Sequence, residues 1–272
     1  MGVLRGALCI DKQEVGSVMR HLHGNIRQFF AQYQHFADLP QLYHALEGVT
    51  KALGFSYFAL IHHANRHHPN RMRNHDVFVH LHNYPPDWAT YYVERQLYRH
   101  DPVLEACNHT NIGFAWDDIE TLIRMTPRLR FTIESSAQNG LGTGFTVPAH
   151  IPGEPPGSCS FVTKPGVVLP RRNLFIAELV GNFAFAAARR INGLARVADL
   201  AHAGLTPRQR ECVYWLSQGK TAWEIGVILG ISHETVTQHL NMACERYGVG
   251  KRRPMVLKAI YDGEISFLDV IG

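Results

Sequence analysis

Apolar side chains recur every three or four residues over the first part of the chain. One stripe consists of Val15, Met19, Leu22 and Ile26. A second stripe consists of Leu42, Leu46, Val49 and Leu53. This spacing predicts two amphipathic helices. Gly54 follows the second stripe directly, which is typical of a helix end because glycine adopts positive φ without strain.

The pattern then changes to one typical of strands. Residues 55–61 are rich in aromatic and β-preferring side chains and predict a strand. Residues 77–82 alternate between apolar and polar side chains and predict the returning strand. The polar and basic segment 62–76 between them predicts an exposed hairpin loop. A pair of prolines then indicates the start of a helix over residues 85–94.

The next stretch returns to an alternation of helices and strands. Residues 127–138 predict a helix, residues 145–148 and 158–163 predict two more strands, and residues 171–191 predict a long helix. Helices around central strands favour an α+β chain in which residues 1–192 form an α/β/α sandwich. The long helix is apolar on nearly every side and must therefore be covered twice. A second copy of the chain or complete burial within one sandwich would supply the second cover.

The last part of the chain shows a helical pattern without predicted strands. Residues 193–204 are small and lightly charged and predict a linker, and residues 205–272 predict an all-α domain of four helices. Thr206, Thr221 and Ser232 stand at or near the expected helix starts. The stripe in the third helix consists of Val236, Leu240, Ala243 and Tyr247. The side chains expected to face inward from the second and fourth helices are Ile225, Ile228, Leu229, Val256, Leu257 and Ile260, with Pro254 opening the fourth helix. A short turn at Gly230–Ile231 joins the second and third helices, which is typical of a helix-turn-helix.

The C-terminal domain also carries a specific set of anchor residues. They are Leu205-Thr206-Pro207-Arg208, Gly219-Lys220-Thr221, Glu224-Ile225-Gly226, Leu229, Ile231-Ser232, Thr235-Val236, His239 and Arg252. Together they resemble the DNA-binding domain of the LuxR family of transcription factors. The alternative is a helical domain that binds protein.

The resemblance implies that the third helix enters the major groove of an operator in double-stranded DNA. The residues expected to contact DNA are Thr235, Thr237, Gln238, Asn241, Arg246, Lys251 and Arg252. The family often has Lys or Arg where this chain has Thr237 and Asn241, so fewer phosphate contacts are expected here. Residues 205–272 contain eight Lys and Arg against seven Asp and Glu. One such domain would bind weakly, which favours a homodimer on a two-fold operator.

The N-terminal domain resembles the autoinducer-binding domain of the same family. The resemblance lies in Asn83-Tyr84-Pro-Pro-Asp-Trp88, Tyr91-Tyr92, Asp101-Pro102-Val103 and Phe114-Ala-Trp116, and more weakly in Gly140 and Gly144. It implies a small-molecule autoinducer, an N-acyl-homoserine lactone, as the ligand, and no cofactor. The implied ligand-binding residues are Tyr84, Trp88, Tyr92, Asp101, Trp116 and Ser160.

The residue types suit such a ligand. The Trp88 indole can donate to the lactone carbonyl, the Asp101 carboxylate can accept the amide N–H, and Tyr84 can donate to the acyl carbonyl. Tyr92 and Trp116 can wall the ring or the tail, and Ser160 or Thr163 can add a hydroxyl. Aromatic residues at helical spacing are also typical of an ordinary core, and Asp before Pro is typical of a helix cap. A buried carboxylate needs a partner, so we expect the domain to be poorly folded without ligand.

Composition and cysteine usage bear on the compartment. The five cysteines are widely spaced and odd in number, which favours reduced thiols and argues against a disulfide framework. No apolar run is long enough to span a bilayer and the first residues do not form a secretory signal, so we expect a cytoplasmic protein that does not bind membranes. The histidines at 62, 63, 67, 68, 75, 80 and 82 lack partners at metal-ligand spacing and favour a solvated loop over a metal site.

Three other functions compete with this interpretation. A regulator of the same family could answer a molecule other than a lactone, or act without ligand as a repressor. A phosphorylated response regulator would need a receiver with an acidic pocket, and none is visible. An enzyme would need a nucleophile elbow, a phosphate loop or a metal signature, and the sequence has none of these.

Overall fold

The computed structural model describes residues 24–63, 79–151, 154–193 and 204–267. The chain divides into two compact units, the first formed by residues 1–149 and 156–192 and the second by residues 150–155 and 193–272. The predicted helical stripe at residues 15–22, most of the predicted loop 62–76 and most of the predicted linker 193–204 lie outside the described residues. No helix in the described ranges is long and apolar enough to cross a membrane.

A five-stranded antiparallel sheet forms the centre of the first unit. Its strands are β1 (Tyr57–His62), β2 (His80–His82), β3 (Phe114–Ala115), β4 (Gly144–Ala149) and β5 (Gly157–Val162). Their order across the sheet is β2-β1-β5-β4-β3, so β2 lies at one edge. The register places Ala59 opposite both His82 and Ser160, and Ile61 opposite both His80 and Ser158. Because strand residues alternate between faces, these six side chains share one face of the sheet.

Helices cover both faces of this sheet. They are α1 (Gly24–Gln32), α2 (Leu39–Ala52), α3 (Pro86–Glu94), α4 (Pro102–Cys107), α5 (Pro127–Gln138) and α6 (Leu174–Ile191). On one face α6 packs closely enough that a Cβ on Gly181 would lie 2.9 Å from Val147, and the Phe185 ring contacts His62. On the other face lie α3, α4 and α5. The predicted α/β/α sandwich is therefore confirmed.

Two features of the first unit differ from the prediction. The short helix α4 was not predicted, because six residues are too few for a periodic pattern to show. The long helix begins at Leu174, after a turn of 3₁₀ helix at Arg171–Asn173. It is not buried all round, since Phe175 is 62% exposed while Val180 is fully buried.

The described part of the second unit, residues 204–267, contains four helices, as predicted for the domain. They are α7 (Pro207–Ser217), α8 (Ala222–Leu229), α9 (His233–Arg246) and α10 (Arg252–Tyr261). The Thr206 hydroxyl accepts from the Gln209 backbone N–H while the Gln209 side chain accepts from Thr206 N–H, and the same reciprocal cap starts α8 at Thr221. Gly230, with φ of 67°, ends α8 in the left-handed conformation that glycine adopts readily. The tight turn of a helix-turn-helix therefore follows from local chemistry.

The core of this unit confirms some predicted positions and corrects others. The stripe from Val236 to Tyr247 is buried. Ile228 was expected to face inward but is 44% exposed, and Leu257 is 68% exposed. The fourth helix begins at Arg252, not at Pro254. This start places Met255 and Ala259, four residues apart, in the core in place of Leu257.

Candidate functional site

A cavity of about 160 Å³ lies between the sheet and the helices α3, α4 and α5. Its walls are mostly apolar, with a few polar groups. All six residues that the sequence suggests for ligand binding line it: Tyr84, Trp88, Tyr92, Asp101, Trp116 and Ser160. They come from α3, from the start of α4, and from strands or their flanks, so the fold brings together residues far apart in sequence.

Trp88 lies in the first turn of α3, which begins with Pro86 at a position where its missing N–H is not needed. The ring is only 4% exposed and packs against Leu97, Leu141 and Val162. Its indole N–H makes no hydrogen bond with any described residue. A buried N–H on a large aromatic ring normally has an acceptor, so the cavity presents an unused donor.

Asp101 is held in place from two sides. One carboxylate oxygen accepts from Val103 N–H at 2.8 Å, which caps the N-terminus of α4. The other accepts from the Tyr92 hydroxyl at 2.6 Å. Each oxygen has a second lone pair, so the carboxylate can still accept a bond from a ligand. Tyr92 therefore orients Asp101 in addition to lining the cavity.

Trp116 belongs to a chain of hydrogen bonds behind the cavity wall. Its indole N–H donates to the Thr146 hydroxyl at 2.8 Å, and the Thr146 and Ser160 hydroxyls lie 2.8 Å apart. The ring lies over Gly144, where a Cβ would lie 2.7 Å from the indole. Trp116 is therefore a fixed wall with its donor already used. Thr146 was not predicted, although its position opposite Ser160 follows from the β4–β5 register.

Tyr84 is partly buried and packs against the same group of residues as Trp88. Burial raises the pKa of its hydroxyl, the negative charge of Asp101 raises it further, and the Ser160 hydroxyl partly opposes the shift. The Tyr84 hydroxyl therefore keeps its proton and can act as a donor. Its ring lies edge-on to Tyr57 on the neighbouring strand, with centroids 6.4 Å apart.

Several lining residues were missed by the sequence interpretation. They include His80, His82, Thr132, Ser136 and Ser158. The Thr132 hydroxyl donates to the backbone carbonyl of His100, and the Ser158 hydroxyl lies 2.9 Å from the His63 ring. The alternation of β2 and β5 was the available signal, since Ser158 and Ser160 must share a face. No group of three metal-ligating side chains occurs among the described residues.

In the second unit, α9 presents a polar face. Asn241 lies four residues after Thr237 and three after Gln238, so it shares one side of the helix with both. Gln238 and Asn241 are exposed, whereas Thr237 is partly buried. The Thr235 hydroxyl instead lies 3.2 Å from that of Ser232, whose side chain caps the helix. Thr235 thus has a local structural contact at the start of α9.

The predicted basic residues differ in their surroundings. Lys251 is exposed directly before α10, and Arg252 is partly buried at the first position of that helix. Arg246, at the last turn of α9, donates to the backbone carbonyl of Gly204 at 3.2 Å. Lys251 therefore has the fewest structural constraints on a role at a DNA phosphate.

Comparison with known proteins assigns both units to families. The autoinducer binding domain family matches residues 38–188, and the family of bacterial regulatory proteins of the luxR type matches residues 203–259. The chain is 30% identical over 237 residues to the transcriptional activator LuxR of Aliivibrio fischeri, covering 81% of this chain and 86% of LuxR. It is 29% identical over 250 residues to AhyR of Aeromonas hydrophila, covering 87% and 91%.

Solved structures show the same fold. The crystal structure of Escherichia coli SdiA gives a TM-score of 0.63 at 23% identity, covering 89% of this chain and 98% of SdiA. SdiA in complex with octanoyl-rac-glycerol gives a TM-score of 0.61 at 22% identity, covering 87% and 93%. Both domains and most of the chain are accounted for by these matches. The chain is therefore a member of the LuxR family of quorum-sensing transcriptional regulators, with an autoinducer-binding domain followed by a DNA-binding domain.

Proposed function

We propose that the first unit binds an N-acyl-homoserine lactone and that the occupied protein binds operator DNA as a homodimer in the cytoplasm, with no cofactor and no membrane contact. The observation that carries this proposal is the pairing of an unused donor with a fixed acceptor in one apolar cavity. The donor is the Trp88 indole N–H, and the acceptor is the Asp101 carboxylate.

The polar groups of the cavity match those of the ligand. A lactone carbonyl accepts from Trp88, the ligand amide N–H donates to Asp101, and the acyl carbonyl accepts from Tyr84. The apolar remainder of the cavity takes the acyl chain. A hydrogen bond to a charged group contributes about 1.5–3 kcal/mol, so the bond from the amide to Asp101 is the strongest of the three.

Occupation of the cavity also supports folding of the first unit. A ligand that binds the folded chain alone stabilises it by about 2.7 kcal/mol at 100 times its Kd. Keeping the unused Trp88 indole N–H away from water is unfavourable until the ligand provides an acceptor. We therefore expect higher soluble yield and higher Tm when the protein is produced with lactone.

For the second unit, we propose that α9 enters the major groove, with Thr237, Gln238 and Asn241 towards the base edges. Lys251 and Arg252 then lie towards the phosphates. With so few cations, one copy binds weakly, and two copies on a two-fold operator double the contacts.

The test is to produce the protein with a panel of acyl-homoserine lactones and identify the extracted small molecules by mass spectrometry. We expect one lactone in near-stoichiometric amount, and about tenfold less in Trp88→Phe, which keeps an aromatic ring but removes the donor. Octanoyl-glycerol belongs in the panel, because its ester has no amide N–H for Asp101. Preferential extraction of octanoyl-glycerol would contradict lactone recognition.

We also propose that the protein is not an enzyme. Its relatives are transcriptional regulators. If the bound molecule is recovered with its lactone ring intact after prolonged incubation, the protein binds without turnover. Steady accumulation of the ring-opened acid above the rate in buffer would contradict this.

A further inference from the structure

The edge strand β2 places two imidazole rings on the wall of the cavity. His80 and His82 both line it, with ring centroids 5.2 Å apart. The His82 ring lies 5.9 Å from that of Tyr84, the proposed donor to the acyl carbonyl. His82 is thus next to the part of the cavity where the first carbons of the acyl chain would lie.

The polar groups along this wall are not equally engaged. The Ser160 hydroxyl bonds to Thr146, and the Ser158 hydroxyl bonds to the His63 ring. Nδ1 of His82, in contrast, is buried without a hydrogen-bond partner, and neither of its ring nitrogens bonds to a described residue. Ala59, directly opposite His82 on β1, has a small side chain and lines the same cavity.

The tautomer of His82 follows from this burial. A buried N–H without an acceptor is rarer than a buried acceptor with an unused lone pair. The proton of the neutral ring is therefore on Nε2, which is not buried in the same way as Nδ1. Burial also lowers the pKa of His82 from 6.5, so the ring is neutral near neutral pH. His82 can then offer one N–H donor to an oxygen in the cavity.

We propose that His82 is a specificity-determining residue: it selects lactones whose acyl chain carries a carbonyl or hydroxyl oxygen near the acyl carbonyl, by donating Nε2–H to that oxygen. This inference rests on the proposed lactone binding. An unsubstituted chain would leave the imidazole N–H buried against methylene groups, without an acceptor. An acyl chain with an oxygen substituent supplies the acceptor. The preference for the substituted lactone therefore comes both from the new hydrogen bond and from the cost of leaving the imidazole N–H without an acceptor when the chain is unsubstituted.

The test compares three ligands of one chain length: octanoyl-, 3-oxooctanoyl- and 3-hydroxyoctanoyl-homoserine lactone. The full-length protein is purified with the octanoyl compound, and the other two are titrated in competition. We expect at least one oxygenated lactone to bind about 3- to 10-fold more tightly than the octanoyl compound, as one hydrogen bond predicts.

Variants assign the effect to one side chain. In His82→Leu the preference for oxygen should disappear, and in His82→Gln, which keeps an N–H donor, it should persist in part. His44→Leu, the same substitution at an exposed position of α2 that does not line the cavity, is the control and should keep the preference. Because the result is a ratio of two ligands on one protein, a general loss of stability does not imitate it.

Two results would overturn the inference. If the wild-type protein binds all three lactones equally, or if His82→Leu keeps the wild-type ratio, His82 does not read the chain, although lactone binding itself stands. If no lactone binds at all, the proposed function fails and this inference fails with it.

Discussion

The cavity and the DNA-facing helix are assembled in different ways. The helix-turn-helix is built from one continuous segment, and its helices start with local caps at Thr206, Thr221 and Ser232. The cavity is built from residues up to about 100 positions apart in the chain, such as Ala59 and Ser160. Local contacts form at a small loss of chain entropy, whereas the cavity requires distant segments to meet. The second unit can therefore fold without ligand more easily than the first.

The largest expected effect is the loss of lactone affinity when Asp101, in the first unit, is replaced. Asp101→Ala removes the acceptor for the ligand amide, the cap of α4 and the partner of Tyr92. We expect lactone affinity to fall about 100-fold, since a bond to a charged group and a cap are both lost. Titration with lactone measures the change.

Asp101→Asn is the control for this variant, because its amide oxygen can still cap α4. It should recover part of the stability but little of the affinity, since its side chain is no longer a charged acceptor. An Asp101→Ala protein that binds lactone as well as the wild type would contradict the assigned role.

The second prediction concerns a substitution that alters only the DNA-binding unit. A Cβ on Gly226 would lie 2.7 Å from the backbone carbonyl oxygen of Ile231, so Gly226→Ala forces the turn between α8 and α9 to shift. Overpacking of this kind destabilises by about 1–3 kcal/mol, and we expect operator affinity to fall about tenfold while lactone binding is unchanged.

Gly250→Ala is the matched control, because a Cβ there meets nothing within 4 Å. Fluorescence anisotropy with labelled operator DNA compares the two variants. Equal operator affinity in both would show that the geometry of this turn does not matter for binding.

The third prediction concerns the phosphate contact proposed for Lys251. Lys251→Gln should weaken DNA binding a few-fold on every sequence and reduce the slope of log affinity against log salt by about 1. Lys164→Gln, an exposed position in the first unit, should leave the slope unchanged. If Lys251→Gln keeps the wild-type slope of log affinity against log salt, Lys251 does not contact a DNA phosphate.

The smallest effect is a pH dependence of the first unit. The pKa of His82 is lowered below 6.5 by burial and by nearby His80, so protons bind the unfolded chain more readily. Stability from this group is present above about pH 6.5 and is lost as the pH falls below it. Wild-type Tm should therefore drop slightly more between about pH 7.5 and 5.5 than the Tm of His82→Gln. An identical drop in Tm in the two proteins would contradict this role of His82 in the pH dependence.

The sequence predicted the helices and strands more accurately than the contacts and burial of individual side chains. Caps and glycines act locally, so the helix boundaries of α5 and the ends of α7 and α8 could be predicted closely. The bond from Tyr92 to Asp101 was not predictable, because it depends on a turn at Gln96 whose φ of 52° no pattern indicates. The exposure of Ile228 and Leu257 was not predicted, because the apolar character of a side chain does not by itself show whether it lies in the core or on the surface.

The most direct test of the account is a crystal structure of the protein with the lactone that it retains. We predict the ligand amide nitrogen within about 3.2 Å of an Asp101 oxygen, and the lactone carbonyl oxygen within the same distance of the Trp88 indole nitrogen. A lactone bound elsewhere, or with its ring turned away from Trp88 and Asp101, would contradict the central claim.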